Sequence, residues 1–259
     1  MSNMPPAFRT SCAALALTVV LSACGGEQRR GPPTEVINRV LASAPGAAQP
    51  SSIVATELAY ARAAQEQGQF TAGLEFAAPG AVQHGRNGPV SFAELASALD
   101  EPEAAAQWSP GVVVQSCDGS IALSQGRFID AEGFVGNYVT TWARQQDGSF
   151  RWIYDVAGRD DPQPEPQPEL EIDDNAIVVT AIDSIQGLIA TCPRAGETIP
   201  PPPAIPIGEE GTADARLSRD GTLRWRWEHQ EDGTKYVSAE YFFQGQWLTA
   251  IEESLASPQ

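Results

Sequence analysis

Hydrophobic and polar positions alternate with a period of two through residues 112–157, and turn signals cut that run into four pieces. VVVQSC (112–117), SIALSQGRF (120–128), FVGNYVTTWARQ (134–145) and FRWIYDVA (150–157) read as consecutive antiparallel strands. Asp118-Gly119 and Asp147-Gly148 sit between such segments, where glycine supplies the positive φ that a tight hairpin needs. Asp130 to Gly133 is a looser third connection. In the last segment Phe150, Trp152, Tyr154 and Val156 point one way, while Arg151, Ile153 and Asp155 point the other. In the third, Phe134, Tyr138 and Trp142 alternate with Val135, Val139 and Ala143. Neither face is fully polar, so both are expected to be covered.

Before the strands the pattern turns helical. Ser51 or Ser52 opens a helix with Ile53, Leu58, Ala61 and Ala64 near one stripe, and Gly68 stops it. A second helix is predicted from about Phe70 to Ala77. AVQHGRNGPV (81–90) reads as a loop or short strand broken by Gly85, Asn87, Gly88 and Pro89. Ser91 and Glu94 form a capping box that starts a third helix.

After residue 158 the composition changes. Seven acids and no base lie between Asp160 and Asp174 among alternating prolines, a pattern of extended, solvated linkers. Residues 176–192 are strand-like, TIPPPPAIPIG (198–208) suits a polyproline II loop, and TLRWRWEH, TKYVSAEYFF and QWLTAIEE form a three-strand meander. Three strands alone are marginal, so this block is expected to pack on the first domain. Asp-Gly-Thr-Leu-Arg-Trp at 220–225 echoes Asp-Gly-Ser-Phe-Arg-Trp at 147–152. Shared hairpin chemistry accounts for the echo without an internal repeat.

The order of two helices, a loop, a short helix and an antiparallel sheet resembles the NTF2-like superfamily, in its SnoaL-like and DUF4440-like branch. The residues that carry the likeness are the junction at Ala61 to Phe70, CDGSIALSQGRF, and GNYVTTWARQQDGSFRWIYD at Gly136 to Asp155. The resemblance spans residues 51–158. It implies an α+β fold, a cone of helices packed on a curved antiparallel sheet, here followed by a β-rich C-terminal extension. The expected division is therefore 1–23 signal peptide, 24–50 tether, 51–158 NTF2-like domain, 159–175 linker and 176–259 extension.

The signal peptide rests on Arg9, the apolar run Ala13 to Leu21, too short for a helix to span a bilayer, and Leu21-Ser22-Ala23-Cys24. That tetrad resembles the lipobox of bacterial lipoproteins, which implies acylation at Cys24 and residence in the bacterial cell envelope as a lipid-anchored protein. Gly25 after the cysteine resembles the sorting signal that permits transfer to an outer membrane. Export would leave Cys117 and Cys192 together in an oxidising compartment, where a disulfide is expected. Two free buried thiols are the alternative.

Charge and motifs narrow the chemistry. Thirty-three acids against sixteen bases give a net charge of −17, which repels phosphate backbones and argues against nucleic acid as a partner. Two histidines, His84 and His229, exclude a multi-histidine metal site, and a His₂Glu site is possible only if they converge. P-loop, dinucleotide-turn and GxSxG patterns are lacking, so neither cofactor nor metal is expected. The resemblance places Tyr60, His84, Trp108, Tyr138, Trp142 and Asp155 near a cone. Tyr60, Trp108, Tyr138 and Trp142 would line a site for a small apolar ligand. Asp155 with Tyr138 could pair a carboxylate base with a hydrogen-bond donor, and His84 could act as a base near neutral pH. The expected function is thus a membrane-anchored ligand-binding or interaction module, with a homodimer possible. A small-molecule isomerase, cyclase or hydrolase is the alternative, and a structural protein with a filled interior is a third.

Overall fold

The computed structural model describes residues 47–165, 184–194, 196–205 and 211–257. The signal peptide, the lipobox with Cys24, and most of the tether and linker lie outside the described residues, as do the strand-like residues 177–183.

Three helices, α1 (Pro50–Gln67), α2 (Gln69–Phe76) and α3 (Phe92–Ala98), lie among the described residues with eleven strands. The strands are β1 (Ala77–Gly85), β2 (Gly88–Ser91), β3 (Gln107–Gln115), β4 (Ile121–Ile129), β5 (Val135–Arg144), β6 (Phe150–Arg159), β7 (Gln186–Ile189), β8 (Ala213–Leu217), β9 (Leu223–His229), β10 (Lys235–Phe243) and β11 (Gln246–Leu255). A seven-stranded sheet runs β2-β1-β6-β5-β4-β3-β7, and a four-stranded sheet runs β11-β10-β9-β8. Only β1 with β6 and β3 with β7 pair in parallel among the described strands.

This overturns the expected α+β class. Among the described residues the structure is mostly β, 46% strand in two sheets, and the helices cover only part of one sheet face. Residues 77–91, which look like loop because glycines interrupt them, form β1 and β2 instead. They find partners at the β6 edge, with His84 opposite Val156 and Pro89. The second face of the large sheet is covered by another sheet.

Four turns share one chemistry. At Asp118-Gly119, Asp147-Gly148, Asp220-Gly221 and Asp232-Gly233, the glycine has φ between 67° and 86°. In each, the aspartate Oδ1 accepts from the backbone N–H two residues on: Ser120, Ser149, Thr222 and Thr234. This local bond pre-shapes the turn, which is why these hairpins are visible in sequence. The first and third turns also meet, since Asp118 N–H donates to Asp220 Oδ2 at 2.7 Å and Cys117 N–H to Thr222 Oγ1 at 2.9 Å.

Between the sheets lies the larger core, with Val114, Leu123, Val139, Tyr154 and Val156 facing Leu223, Trp225, Val237, Ala239 and Ile251. Under the helices, Ile53, Phe92, Val113, Trp142 and Trp152 form a second cluster. Two glycines permit close approach. A Cβ on Gly126 would meet Ser109 O at 2.0 Å, beside the β3–β4 bulge at Pro110. One on Gly73 would meet Phe92 Cζ at 2.4 Å.

Cys117 and Cys192 form a disulfide with Cα atoms 5.1 Å apart and 75 residues of separation. It fixes the segment after β7 where that segment leaves the large sheet, and Thr191 N–H then donates to Phe242 O of β10 at 2.7 Å. The proline-rich stretch lies on the small sheet: Trp247 Nε1 donates to Pro200 O, and Arg224 Nη1 to Pro203 O. No helix among the described residues is long and apolar enough to cross a membrane.

Candidate functional site

The two faces of β5 and β6 carry different chemistry. Val139 pairs with Val156 and both turn toward the small sheet, whereas Tyr138, Thr140 and Asp155 turn toward the helices. Helix α1 brings Glu57 to that helical side. The stripe Ile53, Glu57, Tyr60, Ala64 follows helical spacing, and Ile53, Glu57 and Ala64 are buried while Leu58 is 44% exposed. The expected stripe through Leu58 and Ala61 is therefore rotated. Proline also replaces serine as the starting signal, because Pro50 occupies the first turn and no side chain caps it.

Glu57 is 1% exposed. Tyr138 Oη donates to its Oε1 at 2.5 Å, while Oε2 is buried without a hydrogen bond. Burial pushes the Glu57 pKa up to about 7, with the Tyr138 and Ser124 hydroxyls opposing and the Asp155 charge adding to the rise. The Ser124 hydroxyl is thus near enough to act on the carboxyl, but its resolved bond is the one it accepts from Trp142 Nε1 at 2.9 Å.

Asp155 Oδ1 accepts from Thr140 Oγ1 at 2.5 Å, and Oδ2 from Gln83 Nε2 at 2.9 Å. Burial raises its pKa, against the pull of Thr140, Gln83 and the Lys235 charge. Burial also raises the hydroxyls of Tyr60 and Tyr138, and the charges of Glu57 and Asp155 act on both. Two carboxyls and two phenols therefore form one electrostatic cluster beneath α1.

The sequence-derived residues are only partly brought together. Tyr138 and Asp155 share a face, but the Tyr138 hydroxyl is committed to Glu57. His84 is on the opposite face, where Nδ1 is hydrogen-bonded to Tyr154 Oη at 2.6 Å and Nε2 to His229 Nδ1 at 3.0 Å. Trp227 packs edge-on against its ring, 5.2 Å between centroids. Burial lowers the His84 pKa to about 4, helped by His229 and Lys235. Tyr60 packs edge-on with Trp108 at 4.8 Å and stacks on Phe76 at 5.2 Å. Trp142 is a fully buried wall of the helix-side cluster.

Glu57 is the residue that sequence reasoning did not single out as functional. Its signal was available: it falls between Ile53 and Tyr60 on the only stripe that also takes in Ala64. Cavities of about 840 and 730 Å³ open instead along the outer side of α1 and beside β1, lined by residues such as Thr56, Arg144, Arg151, Pro79 and Ser91. Among the described residues, no group of three or more His, Cys, Asp or Glu side chains could hold a metal ion.

No family model and no curated protein matches the chain. Among solved structures, it is similar to a nuclear transport factor 2 (NTF2-like) superfamily protein from Salmonella enterica serovar Typhimurium. That similarity has a TM-score of 0.32 at 10% identity and covers 54% of this chain and 100% of that one.

Proposed function

We propose that the chain is a bacterial cell-envelope lipoprotein, acylated at Cys24 and held at a membrane, that works as a binding or interaction module. The observation that carries this reading is the tetrad Leu21-Ser22-Ala23-Cys24 directly after an apolar run, and the filled helix-side interior, which a structural protein would share, bears on where such a module could bind. Trp142, Trp152 and Tyr138 close around Glu57, each at most 4% exposed, so recognition falls to the surface and to the rim between the sheets. Several acyl chains would make anchoring effectively permanent, since each buried methylene adds about 0.8 kcal/mol. The acidic surface keeps the body soluble above the lipid.

Native mass spectrometry of the full chain, gently extracted from its own membrane, tests this reading. A mass increment for acyl groups on Cys24 and a recurrent copurified molecule or protein are expected. A chain that begins at Met1 without lipid and carries nothing in repeated preparations would contradict it.

One observation favours a second reading. A buried carboxyl with one unpartnered oxygen and a pKa of about 7 has the properties of a general acid or base. In the isomerase, cyclase or hydrolase alternative, Glu57 would take the role first given to Asp155, with Tyr138 as donor. A substrate would then have to displace part of α1.

A further inference from the structure

Where the ends of β6, β10 and β11 meet lies an open, shallow pocket of about 330 Å³ lined by Arg86, Arg159, Lys235, Phe128, Ala157 and Ser257, among others. Three of the sixteen basic residues of a chain with net charge −17 thus surround one small space. At its floor the backbones approach closely, since a Cβ on Gly158 would meet Ala256 O and Leu255 Cβ at 2.9 Å.

Lys235 is the informative group. It is 5% exposed, and its ammonium donates to Ala157 O at 2.6 Å, one bond for a group with three donors. Burying an ammonium is costly unless a counter-charge and hydrogen bonds compensate. Asp155 acts on it electrostatically, but the Asp155 oxygens are already engaged by Thr140 and Gln83. The Ser257 hydroxyl, on the same wall, is buried with no hydrogen bond. Arg159 is held in place by Asp130 and Glu132 and lies 4.3 Å over the Phe134 ring. Phe128 supplies an apolar wall.

We propose that this pocket binds a small oxyanion, a carboxylate or phosphate, whose oxygens take up the remaining Lys235 donors and the Ser257 hydroxyl while any apolar part lies on Phe128. This deepens the binding-module reading and rests on it. It assigns recognition to the rim between the sheets and to an anion, where the sequence suggested an apolar ligand in a cone.

The test is calorimetric titration of the full chain in detergent with inorganic phosphate, acetate and benzoate, at ionic strength held constant with chloride. Saturable one-to-one binding of at least one probe is expected. Lys235→Met should abolish it, and Arg86→Gln should weaken it roughly tenfold, the effect of losing one charged interaction. If Lys235→Met does not fold, Arg86→Gln and Phe128→Ser carry the test, the latter weakening benzoate more than phosphate. Absence of saturable binding, or equal binding by wild type and every folded variant, overturns the pocket. The two readings fail separately. A molecule that copurifies equally with wild type and Lys235→Met leaves the module standing and removes the pocket. Anion binding that depends on Lys235, without a copurified molecule, leaves the pocket standing and confines the module to that anion.

Discussion

The large sheet has two covered faces, and they solve burial in opposite ways. Against the small sheet the contacts are aliphatic and aromatic, stapled by Cys117–Cys192, and the polar exception is His84, whose hydrogen bond to His229 crosses between β1 and β9. Against the helices the core is smaller, and its polar exception is an acid, Glu57, held by Tyr138. Both titratable groups are pushed by burial toward their uncharged forms. For an acid that means a raised pKa and for a base a lowered one, so the two faces must respond to pH with opposite sign.

The largest expected effect falls on the sheet-covered face. Replacing Cys117 and Cys192 by serine removes a constraint on a 75-residue loop and should cost about 4 kcal/mol in the chain-entropy model. Denaturant unfolding followed by tryptophan fluorescence reads this, and an unchanged midpoint would show that the inter-sheet core holds without the staple.

The second test sets the faces against each other. Glu57 titrates at about 7 in the folded chain against an ordinary 4.5. Its contribution is therefore complete below pH 4.5 and is lost as pH rises toward 7, by about 3 kcal/mol at one pKa unit per 1.36 kcal/mol. His84 titrates at about 4 against 6.5, so its contribution is complete above pH 6.5 and is lost as pH falls toward 4. Between about pH 4.5 and 6.5 the slopes oppose each other. Glu57→Gln should leave stability rising with pH through that window, and His84→Asn should leave it falling. Two variants with the same slope would break the comparison.

Smaller effects probe the helical cover. Gly73→Ala forces Phe92 to move, which should cost about 1–3 kcal/mol as overpacking does, read as a lowered melting temperature. Glu101 caps α2 from outside the helix, accepting from Phe70 N–H at 2.9 Å and from Thr71 N–H and Oγ1 at 2.7 Å. These bonds outweigh burial and lower its pKa. Glu101→Gln should cost about 1 kcal/mol, the usual worth of a cap, with faster amide exchange at Phe70 and Thr71.

What was legible in the sequence was local. The strands of residues 112–157 and the Asp-Gly turns follow from alternation and Asx chemistry, although a register shift between β5 and β6 turns Phe150 and Trp152 to the helices and Tyr154 and Val156 to the small sheet. The helix at Phe92 follows from Ser91, whose Oγ accepts from Glu94 N–H. Less legible were features that need a partner distant in the chain. β1 is stabilised by β6, some 70 residues away, so its glycines read as loop. β8 is not visible in the sequence because its partner among the described strands, β9, follows a turn after a short and largely exposed stretch. In the site, the resemblance sets Asp155 and Tyr138 near one cone, and in the structure both turn toward the helices. His84 does not, because its face is fixed by the parallel register with β6, which alternation within β1 does not reveal.

The central claim is that the helix-side interior is filled by side chains, which leaves binding to the surface and rim. Carbon-13 NMR of glutamate side chains, with Glu57→Gln to assign the resonance, measures it directly through the Glu57 carboxyl. A titration midpoint near 7 is expected. A midpoint in the ordinary carboxylate range near 4.5 would mean that water reaches Glu57, and that the space beneath α1 is open to a ligand after all.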